Sequence, residues 1–209
     1  MPTLPPGVTV RLVLVRHGEP DEQIRGRCYG RLDVGLSDRG RQQVINAGDF
    51  LCPLGISAIY SSPRRRALES AQVLAEARCP VNVDDRLGEI DFGDFEGMSY
   101  DDIARRFPDL YDEWMARPTV VKFPGGESFA DMQVRVSEAL GDLRRAHENS
   151  TVAVVSHGGV NRIALAAALG LAPGHMFRID QAYACVNVID YLPQDPVVRV
   201  VNACGTFPC

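Results

Sequence analysis

Apolar residues along the chain alternate between two habits. Short β-branched runs give way to stretches with helical spacing, and the alternation predicts the elements. Val8 to Arg16 (VTVRLVLVR) is an apolar, β-branched run that reads as a buried strand. Ser37 then precedes a helical stretch through about Leu51, with Gly55 just beyond it. Ile56 to Ser61 predicts a second strand, and Pro63 suits the first turn of a helix running through Ala67, Ala71 and Leu74 to about Ala77. A short strand is expected near Val81. From Leu87 to Gly126 regularity fails: glycines, Pro108, Pro118 and the Pro124-Gly125-Gly126 turn signal surround two short helical segments. Ser128 opens a long helix with apolar Met132, Val136, Leu140 and Leu143. Thr151 to Val155 predicts a strand and Gly159 to Leu169 a helix. Val186 to Tyr191 and Val197 to Val201 predict a hairpin around Pro193.

Strands alternating with helices specify an α/β fold. The expected form is a three-layer sandwich, a mostly parallel central sheet with helices on both faces. Residues 1–209 are expected to form one domain, with a small helical cap inserted at about 88–127. One internal echo stands out. Leu12 to Gly18 (LVLVRHG) and Val152 to Gly159 (VAVVSHGG) are each an apolar strand ending in His-Gly.

Composition narrows the function classes. The chain has 209 residues, 45% hydrophobic and 23% charged, with a formal net charge of −5 and no long basic run, so a nucleic-acid partner is not expected. The longest apolar stretch, Ile163 to Ala172, is too short to span a bilayer. Met1 to Gly7 lacks the pattern of a secretory signal, and the six cysteines include no C-x-x-C pair. A cytoplasmic setting with reduced thiols is therefore expected, although Cys204 and Cys209 lie close in sequence.

In an open α/β sheet, ligands bind beyond the carboxyl ends of the strands. Arg16-His17, Ser61 to Arg66 and Ser156-His157 all fall at such ends. Histidines flanked by arginines, without H-x-x-x-H spacing, indicate an anion rather than a metal. A guanidinium matches phosphate oxygens in bidentate fashion, and a neutral imidazole can attack phosphorus in line. The leaving oxygen then needs an acid. Glu89, in the Gly-rich stretch Leu87 to Gly93, is the best candidate; Asp91, Asp94 and Glu96 compete with it. Other residues read as structural. Arg64 and Arg65 are taken as solvated, His147 as a solvated helix end, His175 as part of a helix start, and Trp114 as part of a small cap core.

Leu14-Val15-Arg16-His17-Gly18-Glu19 resembles the signature of the histidine phosphatase superfamily, which includes the cofactor-dependent phosphoglycerate mutases. Ser61-Ser62-Pro63-Arg64-Arg65-Arg66-Ala67 and Ser156-His157-Gly158-Gly159 resemble that family's second and third motifs, in the same order. The resemblance implies His17 as nucleophile, with Arg16, Arg66 and His157 on the phosphate and Glu89 as proton donor. Arg66 takes the arginine's place because it directly precedes the alanine. Substrate contacts are implied for Gln23, Cys28, Tyr29, Gly30 and Gly158. Gln23 stands where many members carry asparagine, and Pro20 replaces a usual Ser or Thr. No metal and no cofactor are implied.

Cys28 to Val34, Glu89 to Gly97 and Phe123 to Ser128 look most like the α-ribazole phosphatase branch, which makes α-ribazole 5′-phosphate the expected substrate. The alternatives are phosphoserine, a (glucosyl) phosphoglycerate, mutase-type phosphotransfer, and a non-catalytic binding domain. Mutases resemble longer chains with a Trp-Asn pair where this one has Glu22-Gln23. An intact proton-donor candidate argues against a pure binder. The expected partner is a small phosphate ester; any assembly is expected to be a homodimer.

Overall fold

The computed structural model describes residues 4–76 and 79–204. Its strands are β1 (Val10–Arg16), β2 (Ile56–Ser61), β3 (Val81–Val83), β4 (Ser150–Ser156), β5 (Val186–Tyr191) and β6 (Val197–Ala203). Its α-helices are α1 (Asp38–Leu51), α2 (Arg65–Ala75), α3 (Tyr100–Arg106), α4 (Pro108–Ala116), α5 (Phe129–Ala146) and α6 (Gly158–Ala168). The sheet order is β3-β2-β4-β1-β5-β6. Pairings from β3 through β1 are parallel, and β5 runs antiparallel to both neighbours. The mostly parallel α/β fold is as expected.

Strand alternation builds the layers. Leu12, Leu14, Val152 and Val154 face α5 and α6, where Met132, Val136 and Ala164 meet them. Their neighbours Val13, Val15, Ala153 and Val155 face α1 and α2, against Val44, Leu51, Ala71 and Ala75. A strand buried on both faces has no polar side, which is why these strands read as continuous apolar runs.

Boundaries of β1 and α2 differ from the sequence reading, and β4 and β6 run slightly longer than expected. β1 starts at Val10, two residues late. α2 starts at Arg65 rather than at Pro63, because Arg64 is extended (ψ 133°) and Asp33 Oδ1 accepts the Arg65 N–H at 2.8 Å, a cap supplied by a distant loop. The helix ends at Ala75, where Glu76 turns left-handed (φ 41°); its expected last residue, Ala77, lies outside the described residues. Cys209, whose pairing with Cys204 the sequence leaves open, also lies outside them.

α3 and α4 lie within the stretch 88–127. Trp114 packs among Phe92, Phe95, Tyr100 and Phe123, with ring centroids 5.1–6.2 Å away. It also lines a cavity, so it is more than cap core. His147 is half-buried rather than solvated, with Nε2 2.9 Å from the Tyr60 hydroxyl. Among the described residues no helix is long and apolar enough to cross a membrane.

Candidate active site

The echo in the sequence has a geometric cause. β1 and β4 are adjacent and parallel, in a register that pairs Arg16 with Ser156. The next residue on each strand is a histidine. The His17 N–H continues the ladder to Ser156 O at 2.9 Å, and the His17 and His157 ring centroids stand 5.1 Å apart. β2 lies on the other side of β4. The Ser62 N–H donates to Val155 O, and Ser62 Oγ lies 2.7 Å from His157 Nε2. α2, starting three residues later, carries Arg66 into the same place.

Hydrogen bonding assigns both tautomers. His17 Nδ1 lies 2.7 Å from Gly18 O, which only accepts, so Nδ1 carries the proton and Nε2 keeps a free lone pair. Ser62 Oγ accepts the Arg64 N–H at 3.2 Å, and among the described residues the acceptor in reach of its own proton is His157 Nε2. His157 Nδ1 is then an N–H, buried without a partner. Burial, followed by the charges of Arg66 and Arg16, holds His17 well below its ordinary 6.5; burial and Arg66 do the same for His157. Both rings are neutral at neutral pH.

The arginines are held from behind. Arg66, fully buried, donates through Nη1 to Leu32 O (2.8 Å) and through Nη2 to Tyr29 O (2.9 Å) and Gly30 O (3.0 Å). Arg16 donates through Nη1 to Gln181 O and lies 4.2 Å over the Tyr183 ring. Among the described residues, Nε of Arg16, Arg64 and Arg66 remains buried and without a hydrogen-bond partner. With His157 Nδ1 these are four unpaired buried donors about the two histidines. A buried donor left unpaired costs about 1–3 kcal/mol, so such a concentration marks an anion site. The expectation that Arg64 is solvated is corrected here: it is half-buried, its Nε is out of solvent, and its charge is among those that act on His157. Arg65 is exposed and paired with Glu69.

Glu89 lines the same cavity as His17, about 390 Å³ in volume. Its Oε1 accepts the Ile90 N–H (3.0 Å) and its Oε2 the Gly159 N–H (3.2 Å). A Cβ on residue 159 would stand 2.3 Å from Glu89 Oε1, so any side chain there would displace the Glu89 carboxylate. The competing carboxylates are committed elsewhere. Asp91 accepts from Gly93 N–H and Arg31. Glu96 accepts the N–H groups of Arg31, Leu32 and Phe92, and Asp94 is exposed. None of the three lines the cavity.

Cys28 lines it too, as a neutral thiol whose pKa burial, helped by Glu96, pushes up to about 12. Tyr29 bonds its hydroxyl to that of Tyr183 at 3.0 Å and is also raised, first by burial. Gly30 leaves no room for a side chain: a Cβ would lie 1.7 Å from Ile90 O. Gly158 is flanked by the guanidinium groups of Arg162 and Arg16, 2.9 and 3.6 Å from where a Cβ would stand. Gln23 is not brought to the cavity; it is exposed on the turn Glu22–Ile24, whose N-terminus Asp21 caps by accepting the Gln23 N–H.

Sequence reasoning missed Ser62, Arg162, Gln181 and Tyr183. Arg162 was findable: four residues after Gly158, it shares that residue's helix face. The other three depend on tertiary contacts that carry no local signal.

Comparison with known proteins accords with this geometry. Residues 12–203 match the model of the histidine phosphatase superfamily (branch 1). Phosphoserine phosphatase 1 of Hydrogenobacter thermophilus is 39% identical over 194 residues, 92% of each chain. The adenosylcobalamin/alpha-ribazole phosphatase of Escherichia coli is 30% identical over 202 residues, covering 93% of this chain and 96% of that one. Among solved structures, Bacillus stearothermophilus YhfR superposes with a TM-score of 0.87 at 32% identity, over 92% of this chain and 96% of that one. Some mycobacterial relatives are longer, and the chain spans 55% of their length. The chain belongs to the histidine phosphatase superfamily, branch 1. It is accordingly a phosphatase, a hydrolase acting on phosphate monoesters.

The two neutral imidazoles make stability pH-dependent. Below about 6.5 the unfolded chain takes up protons that the folded site refuses, so the unfolded state binds more and stability falls with falling pH. The denaturant midpoint in phosphate-free buffer should drop between about pH 7.5 and about pH 5.5, and His17→Asn and His157→Asn should each flatten the drop. Variants as steep as wild type would contradict the assignment.

Proposed function

We propose that the chain hydrolyses a small phosphorylated metabolite through a phosphohistidine on His17. His17 Nε2 attacks phosphorus as the ester P–O bond breaks, and Glu89 gives its proton to the departing oxygen. Glu89 then takes a proton from water, whose oxygen attacks phosphorus and releases orthophosphate and free His17. Arg16, Arg64, Arg66 and His157 offset the charge on the equatorial oxygens, with no metal required. The observation that carries this reading is the group of four unpaired buried donors around a histidine whose Nε2 lone pair is free. Cys28, Tyr29, Gly30 and Gly158 shape the site around the ester.

For the substrate, α-ribazole 5′-phosphate is the leading candidate. The outer cavity wall is apolar and aromatic, with Phe92, Trp114, Met115, Phe129 and Phe177, and suits a flat apolar base. The sequence similarity to a phosphatase named for that substrate supports it. A second reading is phosphoserine. Arg162 lines the cavity, spends its Nε on Ile179 O (2.8 Å) and forms no ion pair among the described residues, which leaves a cation for a substrate carboxylate. The relative named phosphoserine phosphatase supports this one.

Rapid mixing with substrate should label the enzyme with an acid-labile, alkali-stable phosphoryl group that His17→Ala lacks. Label surviving in that variant would remove His17 from the role. Turnover should withstand prolonged chelation. Arg66→Ala should cost about 10²–10³ in rate, Arg64→Ala less and Arg65→Ala least.

A phosphatase panel of α-ribazole 5′-phosphate, phosphoserine, 3-phosphoglycerate and glucosyl phosphoglycerate separates the substrate readings. If the carboxylate reading holds, Arg162→Gln should weaken only the carboxylate-bearing esters, by about 10-fold or more in kcat/KM. Uniform loss on every ester would make Arg162 a phosphate ligand instead.

A further inference from the structure

Glu89 sits on irregular backbone, between the short 3-10 turn Asp85–Leu87 and the one at Gly93–Phe95. Such a segment has no ladder of its own, so its carbonyls need other partners. Here four successive carbonyls are taken by side chains. Ser156 Oγ, at the end of β4, donates to Leu87 O at 2.6 Å. The other three belong to one residue, Arg135 of α5. Its Nη1 donates to Arg86 O and Gly88 O, both at 2.8 Å, and its Nη2 to Glu89 O at 3.1 Å. The remaining N–H groups go to Glu127: Nε to Oε2 at 3.0 Å, and Nη2 to Oε1. All five donors of the guanidinium are thereby used.

Glu127 extends the clamp to the far side of Glu89. Its Oε1 accepts the Asp91 N–H at 3.1 Å, and its own N–H donates to Asp91 O at 3.0 Å. The main chain is thus gripped at residues 86, 88, 89 and 91 by one ion pair, half-buried beside the cavity. Among the described residues, the Glu89 carboxylate is hydrogen-bonded by two groups, the N–H groups of Ile90 and Gly159.

We infer that Arg135, locked to Glu127, is the positioning residue for the Glu89 carboxyl, fixing the backbone from which the acid reaches into the cavity it shares with His17. This rests on the reading of Glu89 as the proton donor. A general acid works only within hydrogen-bond reach of the departing oxygen, and displacement of about 1 Å can cost about 10²-fold. A planar fork serving three carbonyls and a carboxylate at once cannot be reproduced by lysine, whose ammonium is a point charge.

The test is a double-mutant cycle read on two leaving groups. Single-turnover phosphorylation is measured by rapid quench for wild type, Arg135→Gln, Glu89→Gln and the double variant. The substrates are p-nitrophenyl phosphate and the alkyl ester of the panel that the wild-type enzyme turns over fastest. Arg135→Gln should slow phosphorylation by the alkyl ester about 10- to 100-fold and by p-nitrophenyl phosphate far less, since nitrophenolate leaves without a proton. In the Glu89→Gln background the same substitution should cost nothing further on the alkyl ester. Arg135→Lys should recover only part of the loss. Equal losses on both substrates, or losses that add in the double variant, overturn the inference and leave Arg135 a stability residue. If Glu89→Gln itself shows no leaving-group dependence, the reading of Glu89 fails first, and the two failures are distinguishable. Should Arg135→Gln not fold, Glu127→Gln goes through the same cycle with the same criteria.

Discussion

Several like charges gathered out of water, with no ion pair to a protein carboxylate among the described residues, form the constraint around which the site is arranged. Arg16, Arg64 and Arg66 crowd two histidines that are themselves buried. Removing a guanidinium from water is costly unless its donors are satisfied, and a carboxylate partner would cancel the charge the site exists to present. Dipoles resolve the conflict. The carbonyls of Tyr29, Gly30 and Leu32 hold Arg66, Gln181 O holds Arg16, and the Tyr183 ring lies beneath it. The loop after β1 is therefore part of the electrostatics, since its carbonyls replace lost hydration while leaving the positive charge undiminished. Gln181 is fixed in turn by the buried amides of Asn161 and Asn187.

The same field decides protonation. A cationic neighbourhood keeps both imidazoles neutral, which a nucleophile requires and a phosphate clamp tolerates. Glu89 is the carboxylate in the cavity wall and contributes the opposing charge felt by Arg66 and Arg162. Net charge of −5 over the chain says nothing of this, because the cations are concentrated where three strands end.

The fold was legible because buried parallel strands leave long apolar runs and α5 carries a capping box at Ser128 and Asp131. The start of α2 was not, because its cap comes from Asp33, about thirty residues away in sequence. In the site, Arg16, His17 and His157 were readable from strand ends, and Glu89 from its company. Arg66 was singled out by resemblance alone; spacing could not separate it from Arg64, which the structure also turns inward. Gln23 was misplaced because an amide near a motif says nothing of which way a turn points it. Ser62, Gln181 and Tyr183 act by contacts across the fold, for which no local pattern exists.

The β1–β4 register has one further consequence. Adjacent strands stand about 4.8 Å apart by backbone hydrogen bonding alone. The backbone positions of the two histidines inherit their separation from that spacing, and Gly18 O and Ser62 Oγ orient the rings, whose centroids stand 5.1 Å apart. The sheet is thus a ruler that mutation of the surrounding side chains does not rescale. Over evolutionary time, a descendant of this chain would lose its chemistry by changing the letters at positions 17 and 157 long before it lost the distance between them. An inactive relative would still carry the spacing of the ancestral site, written in its main chain.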